Sequence, residues 1–154
     1  MKARTIVLTV VTCLAGLTLC FAENPNMGTW KLNEAKSKLA PGAVKNNMVV
    51  VEAAGDSLKV TIDGVGAQGN PIHVEWTGKF DGTDYPLTGD PTWDARSYKK
   101  INAHTTEIAS KKGGKVTMTG RIIVSADGKT RTVTVNGTDA MGMKMHSVAV
   151  YDKQ

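Results

Sequence analysis

The chain has 154 residues, of which 41% are hydrophobic, 21% charged and 5% aromatic, with a formal charge of +5. That composition excludes collagen-like, coiled-coil and wholly disordered chains, and the length allows one domain and little more. No motif that dictates a particular chemistry stands in it.

Lys2 and Arg4 precede an uncharged apolar run from Ile6 to Leu19. Cys20-Phe21-Ala22 follows, with small residues at positions −3 and −1 of a cut after Ala22. This layout predicts a secretory signal peptide over 1–22 and a single β-barrel domain over 23–154, periplasmic or secreted. The run is short for a transmembrane helix, which needs about 20 apolar residues, and no transmembrane segment is expected in the mature chain. Leu19 stands where a lipoprotein signal needs a small residue, so lipidation of Cys20 is not expected. Cleavage would leave 132 residues, lower the charge to +3 by removing Lys2 and Arg4, and remove Cys13 and Cys20, the two cysteines. A mature chain without cysteine has no disulfide and no thiolate ligand, and must be held by an ordinary core. Its longest basic clusters are Lys99-Lys100 and Lys111-Lys112, too slight to predict a nucleic-acid partner.

The dominant period in the mature chain is two. Leu58, Val60 and Ile62 alternate with Lys59, Thr61 and Asp63, and Ile72, Val74 and Trp76 with His73, Glu75 and Thr77. Val116 and Met118 alternate with threonines, as do Val133 and Val135. Successive side chains on a strand point to opposite faces, so each segment has one dry face and one wet face. Strands are predicted at 28–32, 46–53, 57–63, 71–80, 83–86, 95–101, 104–110, 115–125, 130–138 and 144–152. Glycine or asparagine turns punctuate them at Gly55, Gly69, Gly82, Asn102, Gly113-Gly114, Gly128 and Gly142. Asn33 is placed to cap a turn or two of helix over 33–39. Consecutive hairpins make a meander, which closes as an up-and-down barrel or folds over as a sandwich. The expected fold is all-β, an antiparallel meander barrel of 8–10 strands, because closure removes exposed edges and no long crossover is present.

Gly28-Thr29-Trp30 resembles the Gly-x-Trp signature on the first strand of lipocalins and related calycin barrels. The resemblance implies a Trp30 that closes one end of the barrel beside a basic side chain from a late strand, Arg121 or Arg131. The chain lacks a clear Thr-Asp-x-x-Tyr segment, and 33–45 is too short for the two-helix lid of intracellular fatty-acid-binding proteins. Over the whole mature chain, Asn24-Pro25-Asn26-Met27-Gly28-Thr29-Trp30-Lys31-Leu32-Asn33 is similar to the opening of a group of small exported bacterial proteins of unassigned activity. Lys36-Ser37-Lys38, Asp84-Tyr85-Pro86, Thr88-Gly89, Asp127-Gly128-Lys129-Thr130 and Val150-Tyr151-Asp152-Lys153 are similar too. That likeness implies a Gram-negative envelope setting and carries no chemistry.

The residues expected to face the interior are Val50, Val60, Ile62, Val74, Trp76, Met118, Ile122, Val133, Val135, Val148 and Val150. A barrel of this size holds either packed side chains or one small ligand. The low aromatic content favours a cavity. Trp30, Trp76, Tyr85, Met118, Ile122, Val133 and Val135 are the candidate ligand-binding residues, with Lys99, Lys100 or Arg121 near a mouth to meet a carboxylate head. The leading expectation is a non-catalytic binding protein for a small apolar or amphipathic molecule, with no cofactor.

Met141, Met143, Met145 and His146 carry the alternative, an envelope metal-handling protein, because thioethers select Cu(I). The three methionines share one strand face, and His146 falls on the other unless a bulge turns it. A barrel without a cavity would instead indicate a structural or stress protein of the envelope. His73 and Glu75 share a face but are too few for zinc, which takes three or four protein ligands. Asp81, Asp84, Asp90 and Asp94 gather in one segment without the spacing of a calcium loop. Asp63 and Glu75 are candidates for a facing carboxylate pair. Asn136-Gly137-Thr138 is a formal glycosylation sequon, read more simply as a strand end. No nucleophile–base pair is visible, so an enzyme is not expected.

Overall fold

Alternating β-branched and polar residues form ten strands, which the computed structural model closes into one antiparallel barrel. The structure describes residues 24–138 and 142–154. The expected signal peptide and Met141 lie outside the described residues. The strands are β1 (Gly28–Leu32), β2 (Lys45–Ala54), β3 (Ser57–Val65), β4 (Pro71–Gly78), β5 (Tyr85–Thr88), β6 (Ala95–Lys100), β7 (Thr105–Lys112), β8 (Lys115–Val124), β9 (Thr130–Thr138) and β10 (Lys144–Lys153). Each pairs with its neighbours in sequence, and β1 pairs with β10, Trp30 opposite Lys153, to complete the ring. The meander is therefore a barrel and not a sandwich.

Local chemistry explains the turns. Gly113 and Gly114, at φ 55° and 77°, form the two-residue connection between Lys112 and Lys115. Positive φ at both central positions is what lets such a hairpin match the strand twist. Asn33 caps a single 3-10 turn over Glu34–Lys36, its Oδ1 accepting from the Lys36 amide at 3.1 Å. Beyond it the chain stays beside β10 through paired bonds between Lys38 and Val148.

The inward face departs from expectation at four places. Val49 and Val51 point inward, not Val50, which is opposite Thr61 on the outer face. The run Val49-Val50-Val51 has no contrast from which to read a phase, and a register shift between Asn46 and Met48 resets it. On β10 the inward set is Met145, Ser147, Ala149 and Tyr151, so Val148 and Val150 face outward. Pairing decides this: Tyr151 is opposite Arg131 and Ala149 opposite Val133. On β8, a register shift opposite Ser110 and Lys111 separates Val116 from Met118. Val116 is consequently exposed while Met118 packs against the core.

One end of the barrel is solid. Trp30 is 0% exposed, its indole N–H donating to the Asn26 carbonyl at 2.8 Å. Asn26 is itself buried, and its Nδ2 donates to Thr106 Oγ1 at 3.2 Å. Lys153 Nζ stands 5.4 Å from the centre of the Trp30 ring. The basic partner of Trp30 is thus Lys153 of the last strand. Arg121 instead lies outside, paired with Glu107, and Arg131 lies within the barrel beside Tyr151.

A second aromatic group closes the side where pairing is thinnest. β5 has only two register pairs with β4 and two with β6. Trp76 spans that gap, edge-on to Tyr98, Tyr85 and Phe80 at centroid distances of 4.7, 5.7 and 6.0 Å. Such edge contacts add about 0.5–1.5 kcal/mol each beyond the area buried.

The loop after β5 is pressed against β4. Gly89 has φ 86°, and a Cβ there would stand 1.7 Å from the His73 carbonyl oxygen. Gly89→Ala is expected to destabilise the fold by about 1–3 kcal/mol, from left-handed strain plus displacement of the loop. A urea unfolding midpoint that implies less than about 0.5 kcal/mol would show that the loop can retreat freely.

Candidate functional site

Small side chains at the other end of the barrel leave a cavity. The loops joining β1 to β2, β3 to β4 and β5 to β6, with Lys112 and Thr117 of the β7–β8 hairpin, surround it. Its volume is about 640 Å³. Small-molecule sites span roughly 300–1,000 Å³. The cavity runs from exposed loop residues such as Gly42 and Gln68 to Tyr98, Ile122, Arg131 and Tyr151 inside. Its origin is visible in side-chain size. Ser147 and Ala149 on β10, Gly137 on β9 and valines 133 and 135 form much of one wall. The bulky Trp30 and Trp76 pack elsewhere.

The structure brings four of the expected ligand-binding residues together, since Met118, Ile122, Val133 and Val135 all line the cavity. It places Trp30, Trp76 and Tyr85 apart from them, in the solid end and its aromatic group. Lys99, Lys100 and Arg121 do not line the cavity; all three are exposed on strands β6 and β8. A head group inside the barrel would not meet them.

The basic residues that do line it are Arg96, Arg131 and Lys112. Arg96 and Arg131 are each 4% exposed. Arg96 Nε donates to the buried Ser110 Oγ at 2.8 Å, and its guanidinium lies 5.3 Å from the Trp93 ring centre. Arg131 stands 5.7 Å from the Tyr151 ring centre, and its Nε and Nη1 have no hydrogen-bond partner among the described residues. Burial lowers the Arg131 pKa, and the Arg96 charge lowers it further, while the Tyr98 and Tyr151 phenols oppose the shift. Burial also raises the Tyr151 phenol, which keeps it neutral. Neither arginine forms an ion pair among the described residues. Asp90 also lines the cavity, and its Oδ1 accepts from the Thr92 amide at 2.8 Å.

These arginines carry a readable signal. The period of two that turns Val133 and Val135 inward also turns Arg131 inward, from the same strand. A charge in that position contradicts the usual burial pattern, and alternation of apolar residues alone stops short of it. Arg96 and Tyr98 share β6 in the same way.

The remaining candidates lie partly in the cavity wall and partly on the surface. Met145 turns into the cavity while His146 faces out, its Nδ1 2.8 Å from Asn136 Oδ1. Met143 is 58% exposed. His73 lies opposite Asp63 at 2.6 Å, so Asp63 faces a histidine, while Glu75 pairs with Lys59. Asp81, Asp84, Asp90 and Asp94 each hold a separate local partner: Thr83, Lys111, Thr92 and Gly113. Among the described residues no group of three or more histidine, cysteine or carboxylate side chains converges on one metal position. No helix among them is long and apolar enough to cross a membrane.

In comparisons with known proteins, no family model and no curated protein matches the chain.

Proposed function

We propose that this protein is a lipocalin-like binding protein that holds a small apolar or amphipathic molecule inside its barrel without transforming it. We place it in the periplasm or outside the cell, among the small exported bacterial proteins whose opening and closing segments it resembles. The single observation that carries the reading is the cavity of about 640 Å³, lined largely by apolar side chains and reached through the loop end. Apolar area removed from water supplies affinity at roughly 25 cal/mol per Å². A rigid, closed wall limits the ordering cost that binding would otherwise carry. Trp30 and its neighbours fill the opposite end, so a chain-like ligand would enter through the loop end.

Titration with the neutral fluorescent probe N-phenyl-1-naphthylamine tests the reading. Saturable binding is expected, and Val133→Trp, which fills the cavity between Ile122 and Ala149, should weaken it at least tenfold. Ile123→Trp, at a position 48% exposed, serves as the outer-face control and should leave affinity unchanged. Equal affinity in both variants would place the probe outside the barrel, and an absence of saturable binding would overturn the proposal.

A further inference from the structure

An apolar cavity does not by itself explain why two arginines are folded into its wall. A guanidinium remains charged at any pH a protein meets, so burial cannot neutralise it by loss of a proton. An uncompensated buried ion carries a large desolvation penalty. The compensation visible for Arg131 is small. A cation–π contact such as that with Tyr151 offsets only part of that penalty. The Arg96 charge acts against it, and two of the Arg131 nitrogens are left without a partner among the described residues. Ser110 satisfies one nitrogen of Arg96 and contributes no negative charge. Asp90, the carboxylate in the lining, is pinned to the loop by Thr92 and pairs with neither arginine.

We propose that the ligand is an amphiphile with an oxyanion head, held by Arg131 and Arg96, with its apolar chain directed along Ile122, Val133, Val135 and Met118 toward the loop mouth. This rests on the cavity-binding reading above and deepens it. Position favours that orientation. Arg131 sits at the inner end of β9, opposite Val124 on one side and Tyr151 on the other. Val133, Val135 and Gly137 follow it along the same face toward the mouth. A charged head reaching Arg131 therefore leaves its chain against the valines. The guanidinium fork suits carboxylate and phosphate oxygens alike, through paired N–H···O bonds. Tyr151, kept protonated by burial, is a neutral phenol beside the same position. Lys112, at the rim, adds long-range attraction for an approaching anion.

Displacement of N-phenyl-1-naphthylamine by dodecanoate, dodecyl phosphate and 1-dodecanol, each below its aggregation limit, tests the assignment. In the unaltered protein at least one anion should displace the probe at a tenfold lower concentration than the alcohol. The stronger of the two anions identifies the head as carboxylate or phosphate. Arg131→Met should reduce the anion advantage over dodecanol to less than threefold. Equal displacement by all three compounds in the unaltered protein would overturn the head assignment and leave the cavity reading standing, a result that needs no variant to fold. Retention of the anion preference in a folded Arg131→Met protein would also overturn it. Failure of the probe itself to bind would remove both proposals together.

Discussion

Trp76→Ala is expected to lower the unfolding free energy by about 3–5 kcal/mol, the range for deleting a large aromatic ring from a core. Trp76 is 1% exposed. Its loss would leave the Arg96 carbonyl without the indole N–H that now donates to it at 2.8 Å. It would also leave Tyr98, Tyr85 and Phe80 facing a void. The position magnifies the effect, because β5 is tied to its neighbours by so few register pairs that the ring cluster carries much of the connection. Since small domains are stable by only about 5–15 kcal/mol, this change alone would remove a large share. Urea titration followed by far-ultraviolet circular dichroism, which does not depend on tryptophan emission, measures it. A loss below about 1 kcal/mol would mean that the barrel is closed here by something other than the aromatic group.

Arg131→Met should act in the opposite direction. In the absence of any ligand it is expected to raise stability by about 1–4 kcal/mol, the gain seen when buried ionic groups give way to apolar side chains of similar volume. Methionine removes the desolvated charge, ends its repulsion with Arg96, and keeps an adaptable side chain against Tyr151. The cation–π attraction to Tyr151 that the guanidinium supplies is weaker than the desolvation penalty it carries. Thermal unfolding of protein stripped of small molecules by refolding is the suitable measurement. A lower melting temperature than the unaltered protein would show that Arg131 is a structural residue with satisfied surroundings. A higher one, together with loss of anion preference, would mark a binding residue retained at the expense of stability.

Much of the fold is legible because its signals are local. Alternation in Leu58–Ile62, Ile72–Trp76 and Val133–Val135 locates strands and their inward faces, and glycine turns locate the hairpins between them. Part of the candidate site follows from the same rule, since Met118, Ile122, Val133 and Val135 need only their own strands to point inward. Size misleads where position is nonlocal. Trp30, Trp76 and Tyr85 are large and apolar, as a binding wall can be, yet they fill the closed portion of the barrel and leave the cavity to smaller residues.

The sequence by itself therefore determined an all-β meander of eight to ten strands and their order, because each strand and turn depends on residues close together in the chain. Tertiary structure alone decided the phase of Val49-Val50-Val51 and of Val148 and Val150, through the register of β2 on β3 and of β10 on β9. It alone chose Lys153 as the neighbour of Trp30, and set in the cavity wall two Arg131 nitrogens that have no hydrogen-bond partner among the described residues. The physical reason is the same in each case. Cross-strand pairing joins residues far apart in the chain, and a shift of one residue in any pairing exchanges the dry face for the wet one.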